Sequence, residues 1–102
     1  MTVFAIVELQ ITNLSAMAPY MLAVPETIAA HGGTYLVRPT PDQIAGNAEL
    51  AEGGPDDYPV KVIIEFPNMA AGQRWYDSAE YQAILPYRTG NSAGKFVWVE
   101  GV

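Results

Sequence analysis

Hydrophobic positions alternate between two periods along this chain. Val3 to Ile11 (VFAIVELQI) is rich in β-branched and aromatic residues, with Glu8 its only charge and no Gly or Pro, the composition of a buried strand. Asn13 and Ser15 are helix-capping types. Leu14, Met17, Met21 or Leu22, Val24 and Ile28 then recur every three or four residues, which predicts a helix with one buried face. Pro19 falls near its first turn, whereas Pro25 sits inside the pattern, removes a backbone hydrogen bond and predicts a kink or a split. Ala29-Ala30-His31-Gly32-Gly33 supplies a C-terminal imidazole and a glycine for the left-handed position that ends a helix.

Thr34 to Arg38 reads as a short strand closed by Arg38, and Val60 to Phe66 (VKVIIEF) as a stronger one. The segment between them, Pro39 to Pro59, holds four of the eight prolines and reads as a loop or irregular hairpin. Its middle, Ala48 to Glu52, can extend the neighbouring strands, although Gly46, Gly53, Gly54 and Pro55 oppose a stiff central strand. Met69 to Tyr76 has helical spacing, and Asp77-Ser78 offers a new cap before Tyr81, Ile84, Leu85 and Arg88, which share a face. Gly90 to Gly94 reads as a turn, and Lys95 to Glu100 (KFVWVE) as the last strand.

This order predicts an α+β fold: a ferredoxin-like βαββαβ arrangement with a four-stranded antiparallel sheet and its helices on one face. Both faces of the strands are apolar, with Phe4 and Ile6 against Ala5 and Val7, and Phe96 and Trp98 against Val97 and Val99. Helices cover only one face, so the other is expected to pack on the sheet of a second copy, giving a homodimer.

Composition points the same way. The 102 residues allow one domain, residues 1–102, yet 50% are hydrophobic and only 16% charged, an excess of apolar surface for a chain this small. The net charge of -6 is concentrated in Pro39 to Pro59, where Asp42, Glu49, Glu52, Asp56 and Asp57 stand without a basic residue. No Lys/Arg patch exists to release phosphate counterions, which argues against nucleic acid and anionic membranes as partners. Lacking cysteine, an export signal or an uninterrupted apolar span, the chain is expected in the cytoplasm.

His31-Gly32-Gly33-Thr34-Tyr35-Leu36-Val37-Arg38, Ile64-Glu65-Phe66-Pro67, Trp75-Tyr76-Asp77-Ser78-Ala79-Glu80-Tyr81-Gln82 and the closing Val99-Glu100-Gly101-Val102 together resemble the DUF1330 family over nearly the whole chain. The resemblance implies a dimeric α+β barrel, two ferredoxin-like protomers packed sheet to sheet. Relatives in that superfamily include cofactor-free monooxygenases, muconolactone isomerases and haem-handling enzymes, and fold does not choose among them. The chain departs from the family pattern at Asn13, where Asp is usual, and at Pro39-Thr40, where a glycine pair commonly follows the arginine. Gln43 to Gly46 looks like added length, and Glu49 to Gly53 resembles the family's second strand extension.

His31 is the only group whose ordinary pKa lies near neutrality, which makes it the candidate proton shuttle; capping the carbonyls at a helix end is the commoner role for a histidine so placed. Arg38 can hold a carboxylate or enolate oxygen in a bidentate fork, or pair with Glu65. Glu8 and Glu65 are the only acids inside two apolar strands, where burial would raise a carboxyl pKa. Tyr35, Trp75, Tyr76 and Tyr81, with Tyr20 and Tyr87, are candidates to line a cavity for a flat apolar ligand, or else to fill the core. Arg74 and Arg88 are read as surface or dimer-contact residues. No metal-ligand spacing, nucleotide-binding motif or nucleophile elbow occurs, so neither metal nor organic cofactor is expected.

The leading expectation is a cofactor-independent enzyme of isomerase, cyclase or monooxygenase type, acting on a small apolar oxygenated metabolite between sheet and helices, with His31 and Arg38 catalytic. The alternatives are a non-catalytic small-molecule-binding or regulatory homodimer, and a haem site with His31 as axial ligand.

Overall fold

The computed structural model describes residues 1–102 and runs β1 (Val3–Ile11), α1 (Leu14–Ala30), β2 (Thr34–Val37), β3 (Val60–Phe66), α2 (Met69–Asp77), α3 (Ala79–Thr89) and β4 (Ser92–Glu100). The strands make one antiparallel sheet in the order β2-β3-β1-β4, the α+β topology expected of a ferredoxin-like fold. β1 is paired on both edges, which accounts for its long β-branched run. Ala5 stands opposite Ile64 and Trp98, and Val7 opposite Val62 and Phe96. Val3, Ala5, Val7 and Leu9 point into the core with Met17, Tyr20, Val24 and Ile28 of α1, Trp75 of α2 and Tyr81 of α3, so all three helices cover the same face.

Each helix begins on a side chain that satisfies an otherwise free backbone N–H. Asn13 accepts from Ala16, Asn68 from Ala71 and Ser78 from Tyr81. α1 ends in a Schellman motif: the Gly33 N–H donates to the Ile28 carbonyl and the Gly32 N–H to that of Ala29, with Gly32 at φ +78°. Pro25 does not split the helix, since α1 is continuous from Leu14 to Ala30. Burial of Tyr20, Val24, Thr27 and Ile28 on either side of the proline offsets the one lost backbone bond.

Two further corrections concern loops. Ala48 to Glu52 forms no strand; the only regular structure between β2 and β3 is a 3-10 turn at Pro41–Gln43. Instead the Asn47 side chain bonds the Lys61 carbonyl at 2.8 Å and accepts from the Lys61 N–H at 2.7 Å, continuing the edge of β3 beyond the end of β2. β4 starts at Ser92 rather than Lys95, because Gly94 pairs with Leu9 so closely that a Cβ there would overlap the Glu8 carbonyl.

The other sheet face carries Phe4, Ile6, Ile63, Val97 and Val99, with no helix over it. At one end of that face Glu8 lies between Lys61 at 2.7 Å and Lys95 at 3.3 Å, and Lys61 also reaches Asp56 at 3.0 Å. Glu8 is therefore no raised-pKa base: the hydrogen bond from Lys61 holds its carboxyl below the usual range, against the opposing effect of burial. A carboxyl depressed in the folded state stabilises the fold above its unfolded pKa, and that contribution fades as pH falls through the folded value. Lys61→Met is accordingly expected to lower the urea midpoint most near neutrality, with the gap from wild type closing below about pH 4. A gap independent of pH would contradict this.

Candidate functional site

Space remains between α1 and the β1–β3 half of the sheet because the residues that meet there are short. Val7, Val60 and Val62 rise from the sheet and Val24 and Pro25 descend from α1, while the large aromatic side chains gather on the other side, towards β4. The result is a cavity of about 410 Å³, walled by these residues with Leu9, Ile11, Met17, Met21 and Ile64. Its rim is Tyr35 of β2 and the turn Arg38-Pro39-Thr40-Pro41, which the Thr40 N–H fixes by donating to Gln43 Oε1 at 3.0 Å.

Few polar groups reach this space: Tyr20, Tyr35, Arg38, Thr40 and Arg88. The Tyr20 and Tyr81 hydroxyls are 3.0 Å apart, and burial pushes both phenols up, Tyr20 well above its ordinary value. Burial likewise raises Tyr35 to about 12, against the opposing charge of Arg38. At neutral pH all three phenols are protonated and available as hydrogen-bond donors. The Arg38 guanidinium lies over the Tyr35 ring, 4.9 Å from its centroid, and the residue is exposed. Arg88 is only 7% exposed, with its guanidinium carbon 5.6 Å from the Tyr20 ring and 5.9 Å from that of Phe96.

The model of a family described as a domain of unknown function, DUF1330, matches residues 2–102. This chain belongs to the DUF1330 family. Among solved structures, this DUF1330 domain is similar to RPA0582, a protein of unknown function from Rhodopseudomonas palustris, with a TM-score of 0.78 and 16% identity over 99% of this chain and 82% of that one. It is also similar to a dabb family protein with a ferredoxin-like fold from Mesorhizobium loti, with a TM-score of 0.57 and 18% identity over 99% of this chain and 95% of that one. At such identities the likeness is one of fold. No curated protein matches the chain.

Of the residues singled out in the DUF1330 sequence, Tyr35 and Arg38 line the cavity, and Tyr81 stands behind its wall through the hydroxyl of Tyr20. The others lie elsewhere. Trp75 is fully buried in the core, its indole N–H donating to Thr27 Oγ1 at 3.0 Å. Tyr76 packs against Tyr81 and Phe96, away from the cavity. Glu65 pairs with Phe4 and Thr34 on the helix-free face, so it neither meets Arg38 nor borders the pocket. His31 caps α1: its Nδ1 donates to the Thr27 carbonyl at 2.9 Å and its Nε2 is 3.7 Å from Glu80. It does not line the cavity, so the structure does not bring His31 and Arg38 to one site. The motif residues that carry the family resemblance are thus largely a helix stop and core packing.

Arg88 corrects the expectation of a surface or dimer-contact residue; Arg74 is exposed. The signal was present, because Arg88 lies seven residues after Tyr81 and therefore on the same buried face of α3. No cluster of His, Asp or Glu suited to a metal ion occurs, and no helix is long and apolar enough to cross a membrane.

Proposed function

We propose that this DUF1330 protein works as a homodimer, joined through its helix-free sheet face, in which each protomer binds a small, largely apolar, oxygenated metabolite between α1 and the sheet. The observation that carries this reading is the 410 Å³ cavity itself: apolar walls and a few polar groups, within the usual range of small-molecule sites. Arg38 at the rim and the buried Arg88 are the two cations of the lining that can hold a ligand oxygen, and the protonated phenols of Tyr20 and Tyr35 are its neutral donors. The open sheet face supports the dimer, since Val97 and Val99 are 44% and 46% exposed and continue a row of apolar side chains across three strands.

Binding is favoured over acid–base catalysis because the cavity wall holds no carboxylate or imidazole, and burial pushes its half-buried rim phenol, Tyr35, up to about 12. Native mass spectrometry of freshly purified protein tests both halves. The expected spectrum is a dimer retaining a small molecule, whose mass is unchanged after incubation with the protein. A monomer at micromolar concentration removes the dimer, and a ligand converted on incubation restores the enzymatic reading.

A further inference from the structure

We propose that Arg88 makes this cavity a carboxylate site, so that its ligand is a small apolar monocarboxylate with the head group on Arg88 and the tail against Val7, Val24 and Val62. The proposal rests on the cavity being a ligand site and specifies what it takes.

Arg88 is 7% exposed, yet no acid is near it: every ion pair in the protein belongs to His31, Lys61 or Lys95. Its side chain takes part in no hydrogen bond within the protein; the bonds from Ser92 Oγ and the Asn91 N–H go to its backbone carbonyl. No fully buried side-chain nitrogen lacks a partner, so the unpaired guanidinium nitrogens keep accessible surface. That surface opens where the residue lines walls, on the 410 Å³ cavity and on a smaller one of 190 Å³ beside Ser92 and Lys95. A permanent cation held among apolar walls without a counter-charge is costly unless something supplies one.

Packing alone does not account for it. The rings of Tyr20 and Phe96 approach the guanidinium carbon at 5.6 and 5.9 Å, near the outer limit of a cation–π contact. Such contacts satisfy the face of the guanidinium and leave its in-plane N–H donors free. A planar carboxylate accepts from two of those donors at once. Phosphate fits less well, because its second charge would need another buried cation, and the remaining arginine of the lining, Arg38, is exposed at the rim. Tyr20, whose hydroxyl is bonded to Tyr81, is placed to donate to the same head group.

The test uses a panel of alkyl and aryl monocarboxylates of roughly six to twelve carbons, a size suited to the cavity, each beside its carboxamide. Affinities are measured by protein-observed NMR on wild type, Arg88→Met and Arg88→Lys. At least one acid is expected to bind wild type about tenfold or more tighter than its amide. Arg88→Met should erase that preference and Arg88→Lys retain part of it. The wild-type comparison decides by itself if the variants do not fold. Amides binding as well as their acids, or a preference that survives in folded Arg88→Met, overturns the carboxylate assignment and leaves the cavity as a ligand site. Failure of acids and amides alike overturns both.

Discussion

Trp75→Ala is expected to destabilise the protein by about 3–5 kcal/mol, a large part of the total stability of a small domain. Trp75 is fully buried at the centre of an aromatic group, with ring centroids of Tyr81 at 4.1 Å, Phe66 at 5.3 Å and Phe96 at 6.2 Å. Its indole N–H also ties α2 to α1 through Thr27 Oγ1, which in turn donates to the Val24 carbonyl at 2.8 Å. Truncation opens a cavity that Phe66 and Tyr81, held by the sheet and by Tyr20, cannot collapse to fill. Urea denaturation measures the loss, and a value under about 1 kcal/mol would mean that Trp75 is not the keystone of this packing.

The second large effect is on assembly. Val97→Asp is expected to convert the proposed dimer to a folded monomer, raising the dissociation constant about a hundredfold or more, since each copy would bury an unpaired carboxylate. Val97 stands opposite Ile6, and Ile6 opposite Ile63, so the substitution falls at the β4 end of an apolar row spanning β4, β1 and β3. The side chain is 44% exposed in the protomer, which leaves the fold little affected. Sedimentation velocity reports the outcome together with circular dichroism. A Val97→Asp protein that stays dimeric would place the interface elsewhere.

Much of the fold was legible because the local signals agree with one another. β1 and β3 run from the first to the last residue of their β-branched stretches, and Asn13 and Ser78 sit at the helix starts that their chemistry implies. The errors arose where tertiary contacts override local preference. Pro25 does not split α1 because its neighbours are anchored in the core, and Gly94 belongs to a strand because β1 needs that close approach. Asn47 replaces a strand by pairing its side-chain amide with Lys61, an arrangement that no periodicity announces.

The site was less legible than the fold. A lone histidine attracts a chemical reading, but the glycines that follow His31 turn the chain away and leave the imidazole on the Thr27 carbonyl. Arg88 was misjudged as a surface group because arginine seldom enters an apolar interior, although its spacing from Tyr81 already put it on the buried side of α3. The cavity depends on which valines face one another across layers. Only the assembled register of β1, β3 and α1 reveals that their side chains leave a space.

Both proposed roles of the cavity require a ligand in the space between α1 and the sheet. The most direct test is methyl NMR on valine-labelled protein, titrated with the acid and amide panel. Shifts are expected at Val7, Val24, Val60 and Val62, which wall the cavity, and none at Val37, Val97 or Val99 on the opposite face. Perturbation confined to Val97 and Val99, with the cavity valines unmoved, would contradict ligand binding in that space.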